Sequence, residues 1–285
     1  MNPAAHELPD VVLLPFVQAA LAEDMGRKGD ITSQATIPAG KQGRLHLVSR
    51  RPGVIAGMAL ARLAFAQIDP AIKVDIVRQD GAHVEAGQLL ATVSGDIRSM
   101  LAAERTALNF LTHLSGIATQ TADIVKLVAD TNARITCTRK TIPGLRVLQK
   151  YAVRVGGGWN HRMALDDAML IKDNHIALAG DLRTAIAQAH AHAGHLTPVE
   201  LEVDTLEQLA VALEEGVRLV LLDNMDCDTL RRAVAMCQGK AQTEASGGIT
   251  PETVQAVAQT GVDYIAIGYL THSTKALDIG LDFQV

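Results

Sequence analysis

Apolar positions over residues 11–25, VVLLPFVQAALAEDM, recur at helical spacing and predict an amphipathic helix with a proline in its first part. The polar, β-branched stretch GDITSQATIP (29–38) reads as a loop. Alternation in GRLHLVSR (43–50) predicts a strand, and GVIAGMALARLAFAQI (53–68) a helix rich in small residues. Residues 72–97 read as two or three short strands divided by Asp80-Gly81 and Gly87. Over residues 99–130 the pattern is helical again. Leu101, Leu108, Leu111 and Leu114 make one stripe, and Ser115-Gly116 predicts a break before a second helix.

From residue 134 a different rhythm begins: short apolar runs, each closing on a charged or glycine-rich end, alternate with helical stretches. RITCT ends in Arg139-Lys140, AMLI in Lys172, and PVELE carries Glu202; RLVLL ends in Asp223, AQTEA in Ser246-Gly247-Gly248, and DYIAI in Gly268. Successive endings lie about 20 to 33 positions apart, the length of a strand-helix unit. Polar groups at the C-terminal ends of successive parallel strands predict a β/α barrel with its site on that face. Six strands are visible, and the pattern leaves room for a seventh or eighth.

A chain of 285 residues can bury a sizeable core in two domains, or in one barrel with an attachment. Hydrophobic residues at 48% and charged residues at 20% are ordinary for a globular protein. Aromatics are only 3%, which disfavours recognition by stacking on many bases, and the net charge of −5 argues against general nucleic-acid binding. No stretch approaches the roughly 18 apolar residues of a membrane span, and MNPAAHELPD lacks the features of a signal peptide, so a cytoplasmic protein is expected. Cys137, Cys227 and Cys237 show no CxxC spacing, so neither a disulfide framework nor a zinc site is expected.

Charge changes this picture at one place. Residues 131–165 hold Arg134, Arg139, Lys140, Arg146, Lys150, Arg154, His161 and Arg162 but no Asp or Glu. In an acidic chain such a run looks built to receive negative charge, although Arg146, Lys150 and Arg154 also fit a basic surface helix. Arg139-Lys140 follow an apolar, β-branched run, and His161-Arg162 follow the Gly156-Gly157-Gly158 hinge, where loops meet regular elements.

Around one barrel mouth these ends assemble a cationic sector (Arg139, Lys140, Arg162, Lys172), two carboxylates (Glu202, Asp223) and two glycine-rich turns. Several guanidinium and ammonium groups together imply a ligand with more than one carboxylate or phosphate. Glu202 and Asp223 suit a hard divalent cation or sugar hydroxyls. Ser246-Gly247-Gly248 lets backbone N–H groups approach an anion at the start of a helix, whose TPETVQ opening is expected to supply a threonine cap.

The segments GLRVLQKYAVRVGGGWNHRMALDDAMLIKDNHI, VELEVDTLEQL, LLDNM, EASGGIT and YIAIGYLTHSTKALDIGLDF, with ERTALNFLTHLSGIAT upstream, resemble the quinolinate phosphoribosyltransferase family. The resemblance covers nearly the whole chain from Gly29, and the TRKTIPGLR and GGGxNHR blocks are highly specific. It implies an α/β protein with an incomplete, about seven-stranded β/α barrel over residues 113–272. An N-terminal α/β sandwich domain would span 1–112, with 273–285 returning to it. The implied reaction joins quinolinate to phosphoribosyl pyrophosphate with Mg²⁺, giving nicotinate mononucleotide, pyrophosphate and CO₂ in NAD biosynthesis. Arg139, Arg162 and Lys172 would hold the two quinolinate carboxylates, with Thr138 and His161 in the same pocket. Arg105 would join them from the partner subunit of a homodimer. Lys140 would lie near the reacting ribose and pyrophosphate, and Glu202 and Asp223 would hold the ribose hydroxyls and Mg²⁺. Ser246, Gly247, Gly248 and Gly268 would hold the 5′-phosphate, with Lys172 and His175 also near the sugar phosphate.

Three rivals stay open at this level. One is a phosphoribosyltransferase for nicotinate or another aromatic monocarboxylate. Another makes Lys172 a Schiff-base lysine, and the third is a carrier module built on residues 72–97. In that last segment Lys73 is the sole lysine and does not sit in a turn. His190, His192 and His195 read as a solvated cluster, Cys137 as core, Trp159 as packing for the hinge, and Asp166-Asp167 as the start of the next element.

Overall fold

The structure, a computed structural model, describes residues 7–283. The chain begins with α1 (Asp10–Met25), α2 (Ile31–Thr36), β1 (Gln42–Ser49), β2 (Gly53–Val54) and α3 (Met58–Ile68). β3 (Lys73–Ile76), β4 (His83–Val84), β5 (Leu89–Asp96) and α4 (Ile97–Leu127) follow. Strand-helix alternation then runs through β6 (Arg134–Thr136), α5 (Arg146–Val155), β7 (Met169–Ile171), α6 (Asp173–Ala179), α7 (Leu182–His192), β8 (Val199–Val203) and α8 (Leu206–Glu214). It closes with β9 (Leu219–Asp223), α9 (Cys227–Cys237), β10 (Gln242–Ser246), α10 (Val254–Ala258), β11 (Tyr264–Ala266), α11 (Tyr269–His272) and β12 (Ile279–Phe283). Among the described residues no helix is long and apolar enough to cross a membrane.

Contacts divide the chain into two compact units. The first runs to Ala122 and takes in Leu148–Gly157 and the segment from Ser273; the second comprises Asp123–Val147 and Gly158–His272. The 112/113 boundary expected from sequence falls inside α4, which is continuous across it.

In the first unit an antiparallel sheet has the order β12-β1-β5-β3, so the end of the chain pairs with its first strand, Ile279 opposite Ser49 and Phe283 opposite Leu45. Leu45, Leu47, Ala91 and Val93 are buried, and so are Met58, Leu60, Leu63 and Phe65 of α3. Within residues 72–97, β3 and β5 thus belong to this shared sheet and β4 pairs with β2, with Lys73 at the start of β3 and not at the tip of a hairpin.

Three sequence expectations change here. Residues 29–38 are not a loop: Asp30 accepts the Ser33 amide at 3.0 Å and caps α2, which outweighs the poor helix propensity of its β-branched residues. The helix expected from residue 53 starts at Met58, because β2 pairs with β4 and Gly57, at φ 99°, turns the chain. There the Asp80 carboxylate accepts the amides of Gly57 and Met58 at 2.8 and 3.0 Å. Finally, Ser115-Gly116 does not break the helix. The Ser115 hydroxyl accepts the Ala56 amide at 2.9 Å, and a Cβ on Gly116 would run into the Lys275 carbonyl oxygen and stand 3.1 Å from Ala276 Cα. The pair is a packing device that brings backbone close to α4.

In the second unit all six strands are parallel, in the order β6-β11-β10-β9-β8-β7. Beyond β6 the chain supplies a further extended segment, since Trp159 bridges Thr136, its amide donating to Ile135 O at 2.7 Å. Leu201, Val203, Val220, Leu222, Ala245 and Ile265 form one core with Leu209, Ala212, Leu230 and Ala233 of the covering helices. Cys137 is buried, as expected.

Gly116→Ala should destabilise the protein by about 1–3 kcal/mol through overpacking against backbone that cannot rotate away. Denaturant unfolding of the variant checks this, and an unchanged midpoint would contradict the close approach.

Candidate active site

Side chains alternate across a strand, so each parallel strand that turns Leu or Val toward the helices turns its intervening residues to the other face. In β8 those residues are Glu200 and Glu202, in β9 Leu221 and Asp223, and in β10 Glu244 and Ser246. They fall into two layers. Glu202, Asp223 and Ser246 at the C-terminal strand ends, with Leu221, line a cavity of about 370 Å³, and Glu200 and Glu244 below line a second cavity of about 490 Å³. The larger cavity opens among the N-terminal strand ends, with Pro198, Leu219 and Gln242 in its wall, whereas the smaller one holds most of the reactive side chains.

Thr138, Arg139, Lys140, His161, Arg162, Lys172, Glu202, Asp223 and Ser246 all line the smaller cavity. Buried Nε atoms of Arg139 and Arg162 have no hydrogen-bond acceptor. An unsatisfied buried donor is costly, so these two guanidinium groups are set for an anion that supplies the acceptors. Burial first, and then the charge of Arg139, holds Arg162 below the usual arginine range, while Asp167 and Glu200 act the other way. Arg162 is aimed by its Nη1, which donates to Ala168 O at 2.9 Å. The turn between them is tied by Asp167, whose carboxylate accepts the amides of Met163 and Ala164 at 2.6 and 2.8 Å. Asp167 therefore shapes the loop before β7, which starts at Met169, and does not begin the strand itself.

Opposite in charge, Glu202 forms an ion pair with Lys172. The Lys172 amine is thereby committed to a carboxylate and not presented to a carbonyl carbon, which removes the basis for the Schiff-base reading. Asp223 accepts from Asn224 Nδ2 at 2.6 Å. Glu202 and Asp223, on adjacent strands beside an anion site, are a donor set suited to a hard cation that also takes phosphate oxygens.

A third recess continues from Asp223 past Ser246, Gly247, Gly248 and Gly268 to Lys140, Tyr269 and His272. Gly247 adopts φ 97°, and a Cβ there would sit on Asn224 Oδ1 and 2.8 Å from Asn224 N. Asn224 itself has φ 52°. Two adjoining loops are thus bent into left-handed backbone at one point, a conformation that turns successive amides toward an anion. The expected threonine cap is placed differently. Residues 251–253 form a turn before α10 starts at Val254, and Thr253 Oγ1 accepts the Thr250 amide at 2.9 Å.

In the lower layer His161 Nε2 lies 2.8 Å from Glu200 Oε2 and 3.9 Å from Glu244 Oε2, and Thr136 donates to Glu244 Oε1 at 2.7 Å. These ligand atoms are close enough for a metal ion. Against an ionised carboxylate, however, the 2.8 Å contact requires Nε2 to carry hydrogen, which uses up its ligand lone pair. At the outer end Arg134 lies over the Trp159 ring, 4.4 Å from its centroid.

Of the cationic stretch, then, Arg139, Lys140, His161 and Arg162 reach the mouth. Arg146 instead braces loops, donating to Thr141 Oγ1 at 3.0 Å and Met163 O at 3.2 Å. Lys150, on α5 in the other unit, is fully buried, so that helix is not the solvated basic face that was an alternative. Arg105 lies exposed on α4 and is not among the cavity-lining residues. His175 is exposed and caps α6, its Nδ1 accepting the Lys172 amide at 2.9 Å. His190, His192 and His195 are exposed, as expected.

Residues 117–282 match the family model "Quinolinate phosphoribosyl transferase, C-terminal domain", and residues 30–115 match that of the N-terminal domain. The chain belongs to this family. A relative from Mycobacterium leprae, named nicotinate-nucleotide pyrophosphorylase (carboxylating), is 49% identical over 93% of this chain and 95% of its own length. One from Bacillus subtilis, named as a probable enzyme of the same kind, is 42% identical over 91% and 89%. The solved nicotinate-nucleotide pyrophosphorylase of Francisella tularensis superposes with a TM-score of 0.94 at 37% identity, covering 100% of both chains. Human nicotinic acid phosphoribosyltransferase shares the fold alone, at a TM-score of 0.56 and 17% identity.

Reading the sequence for strand ends missed His272, Asn224, Glu200 and Glu244. His272 was findable: it stands one helical turn beyond Gly268, and its ring would be 3.3 Å from a Cβ there. Glu200 and Glu244 were findable by parity, two positions before Glu202 and Ser246 on the same strand faces.

Gly247→Ala should lower the affinity for a sugar phosphate by about tenfold or more, because the strain of about 1–3 kcal/mol falls on the backbone that would hold the anion. Equilibrium titration with ribose 5-phosphate checks this, and unchanged affinity would place phosphate elsewhere.

Proposed function

We propose that this chain transfers the phosphoribosyl group of phosphoribosyl pyrophosphate to quinolinate, giving nicotinate mononucleotide, pyrophosphate and CO₂. One observation supports it above the others: two buried, acceptor-less arginine Nε atoms line one small cavity beside an acidic pair and a glycine-bent anion loop. A ring bearing two adjacent carboxylates satisfies both guanidinium groups, whereas a monocarboxylate leaves one of them short. Family membership and the M. leprae and B. subtilis relatives point the same way.

In this reading Arg139 and Arg162, with Thr138, His161 and Lys172, orient the two carboxylates so that the pyridine nitrogen faces the anomeric carbon. Such orientation is worth about 7–11 kcal/mol. Ser246, Gly247, Gly248 and Gly268 hold the 5′-phosphate, and His272 and Tyr269 wall the same recess. As the C1′–O bond to pyrophosphate breaks, its electron pair leaves with the oxygen, and Lys140 stabilises the growing negative charge. The nitrogen lone pair then forms the new bond to C1′. The quaternised ring accepts the electron pair released when the C2 carboxylate departs as CO₂, and a proton takes its place at C2. Glu202 and Asp223 would hold the ribose hydroxyls and Mg²⁺; when bound, Mg²⁺ supplies charge neutralisation to the pyrophosphate. Assembly as a homodimer, in which the partner chain adds its copy of Arg105 to the carboxylate site, completes the proposal. His175 would sit at the rim of the sugar-phosphate site.

Purified protein with both substrates and Mg²⁺ should release CO₂ and form nicotinate mononucleotide; turnover of nicotinate without CO₂ would instead support the monocarboxylate alternative. Arg139→Ala or Arg162→Ala should raise the quinolinate KM by about two to three orders of magnitude, as expected for removing one partner of a desolvated charge pair, with the fold intact. Wild-type kinetics in either variant would overturn the clamp.

A further inference from the structure

Among the described residues, the segment beyond β6 is joined to that strand by one isolated bridge, Trp159 opposite Thr136. Trp159 donates its amide to Ile135 O at 2.7 Å, and its carbonyl accepts the Cys137 amide at 3.2 Å. Two and three residues later come His161 and Arg162, which line the mouth. Gly156, Gly157 and Gly158 lead into the segment, so the chain before it puts little steric restraint on where it sits. Register is weakly specified in glycine-rich strands, and a slip of one residue carries side chains roughly 3.3 Å along the strand and onto the opposite face. A site that needs Arg162 in one place therefore gains from a further hold on register.

Side chains at the far end of the strands supply such a hold. Arg134, the first residue of β6, pairs across the sheet with Tyr264 of β11, and the Trp159 segment lies along the other edge of β6. Its guanidinium lies over the Trp159 ring, 4.4 Å from the centroid, and 5.8 Å from the centroid of the Tyr264 ring. Arg134 Nη1 also donates to the Tyr264 hydroxyl at 3.3 Å. One cation is thus shared between rings on either side of β6, at the end of the sheet away from the mouth. Arg134 lines neither cavity, so any effect it has on a ligand passes through its neighbours.

We infer that Arg134 is a positioning residue for quinolinate: by stacking on Trp159 it fixes the register of the segment that carries His161 and Arg162. The carboxylate clamp is thereby aimed from the opposite end of β6. Tryptophan offers a cation the best aromatic face, and a ring so held cannot move along the strand without losing the contact. Where a fraction of molecules has the segment displaced, apparent affinity falls by that fraction. The effect on substrate rests on the quinolinate reading; the hold on the ring rests on the geometry alone.

Arg134 is exposed, so its replacement leaves the core intact. Arg134→Ala should raise the quinolinate KM about two- to fivefold, the worth of an exposed cation–π contact, with the phosphoribosyl pyrophosphate KM unchanged. Simple loss of a positive charge would instead weaken the more highly charged phosphoribosyl pyrophosphate at least as much. Trp159→Leu, which alters no charge, should raise the quinolinate KM at least as far, and the double variant should be no worse than the poorer single one. Trp159 is the only tryptophan in the sequence, so time-resolved fluorescence anisotropy of the ligand-free protein reads the ring directly. Nanosecond depolarisation should have a larger amplitude in Arg134→Ala than in the wild type. An unchanged quinolinate KM, equal rises in both KM values, an additive double variant or unchanged anisotropy would each overturn the inference. If the wild-type protein fails to turn over quinolinate, the proposed reaction falls while the anisotropy still decides whether Arg134 holds the ring.

Discussion

Two-residue periodicity in a parallel sheet is the constraint on which the site depends. Each strand must turn every second side chain to the helices, and those positions are filled with Leu, Val, Ile and Ala that make one core. The intervening positions are thereby withdrawn from the apolar layer, and in β8, β9 and β10 they carry Glu200, Glu202, Asp223, Glu244 and Ser246, with Leu221 among them. Charged groups on such a face lose most of their hydration, so they persist only when paired with one another or with a ligand. Lys172 with Glu202, and His161 with Glu200, are the internal pairs. Arg139 and Arg162 are left incomplete, and recognition is located where the pairing runs out.

The loops that carry the arginines are held by Asp167, Arg146 and Thr271, none of which lines the smaller cavity. Asp167 ties the turn after Arg162, Arg146 joins residues 141 and 163, and Thr271 donates to the Lys140 carbonyl at 2.7 Å. These braces place functional guanidinium and ammonium groups with little freedom to collapse onto nearby acids. The geometry is therefore set before a ligand arrives, which is how a scaffold limits the entropy lost on binding.

Much of this was legible in the sequence, because alternation and strand-end chemistry are local properties. All six parallel strands and the cluster of Arg139, Lys140, Arg162, Lys172, Glu202 and Asp223 follow from short-range pattern. What pattern could not show were choices made by partners distant in sequence. Gly116 reads as a helix breaker until Lys275 is seen against it, and residues 53–57 read as helix until β4 pairs with β2. The lower carboxylates escaped notice because attention to strand ends overlooks the position two residues earlier on the same face. α2 is the exception: its Asp30 cap was a local signal overruled by composition.

The pairing of β12 with β1 also orders events during synthesis. Until residues 279–283 leave the ribosome, one edge of the first sheet exposes unpaired amides and carbonyls, while the six-stranded sheet already has every strand it requires. The portion made first is thus completed last. Removing residues 279–283 would open that edge of the first sheet and invite association between nascent copies.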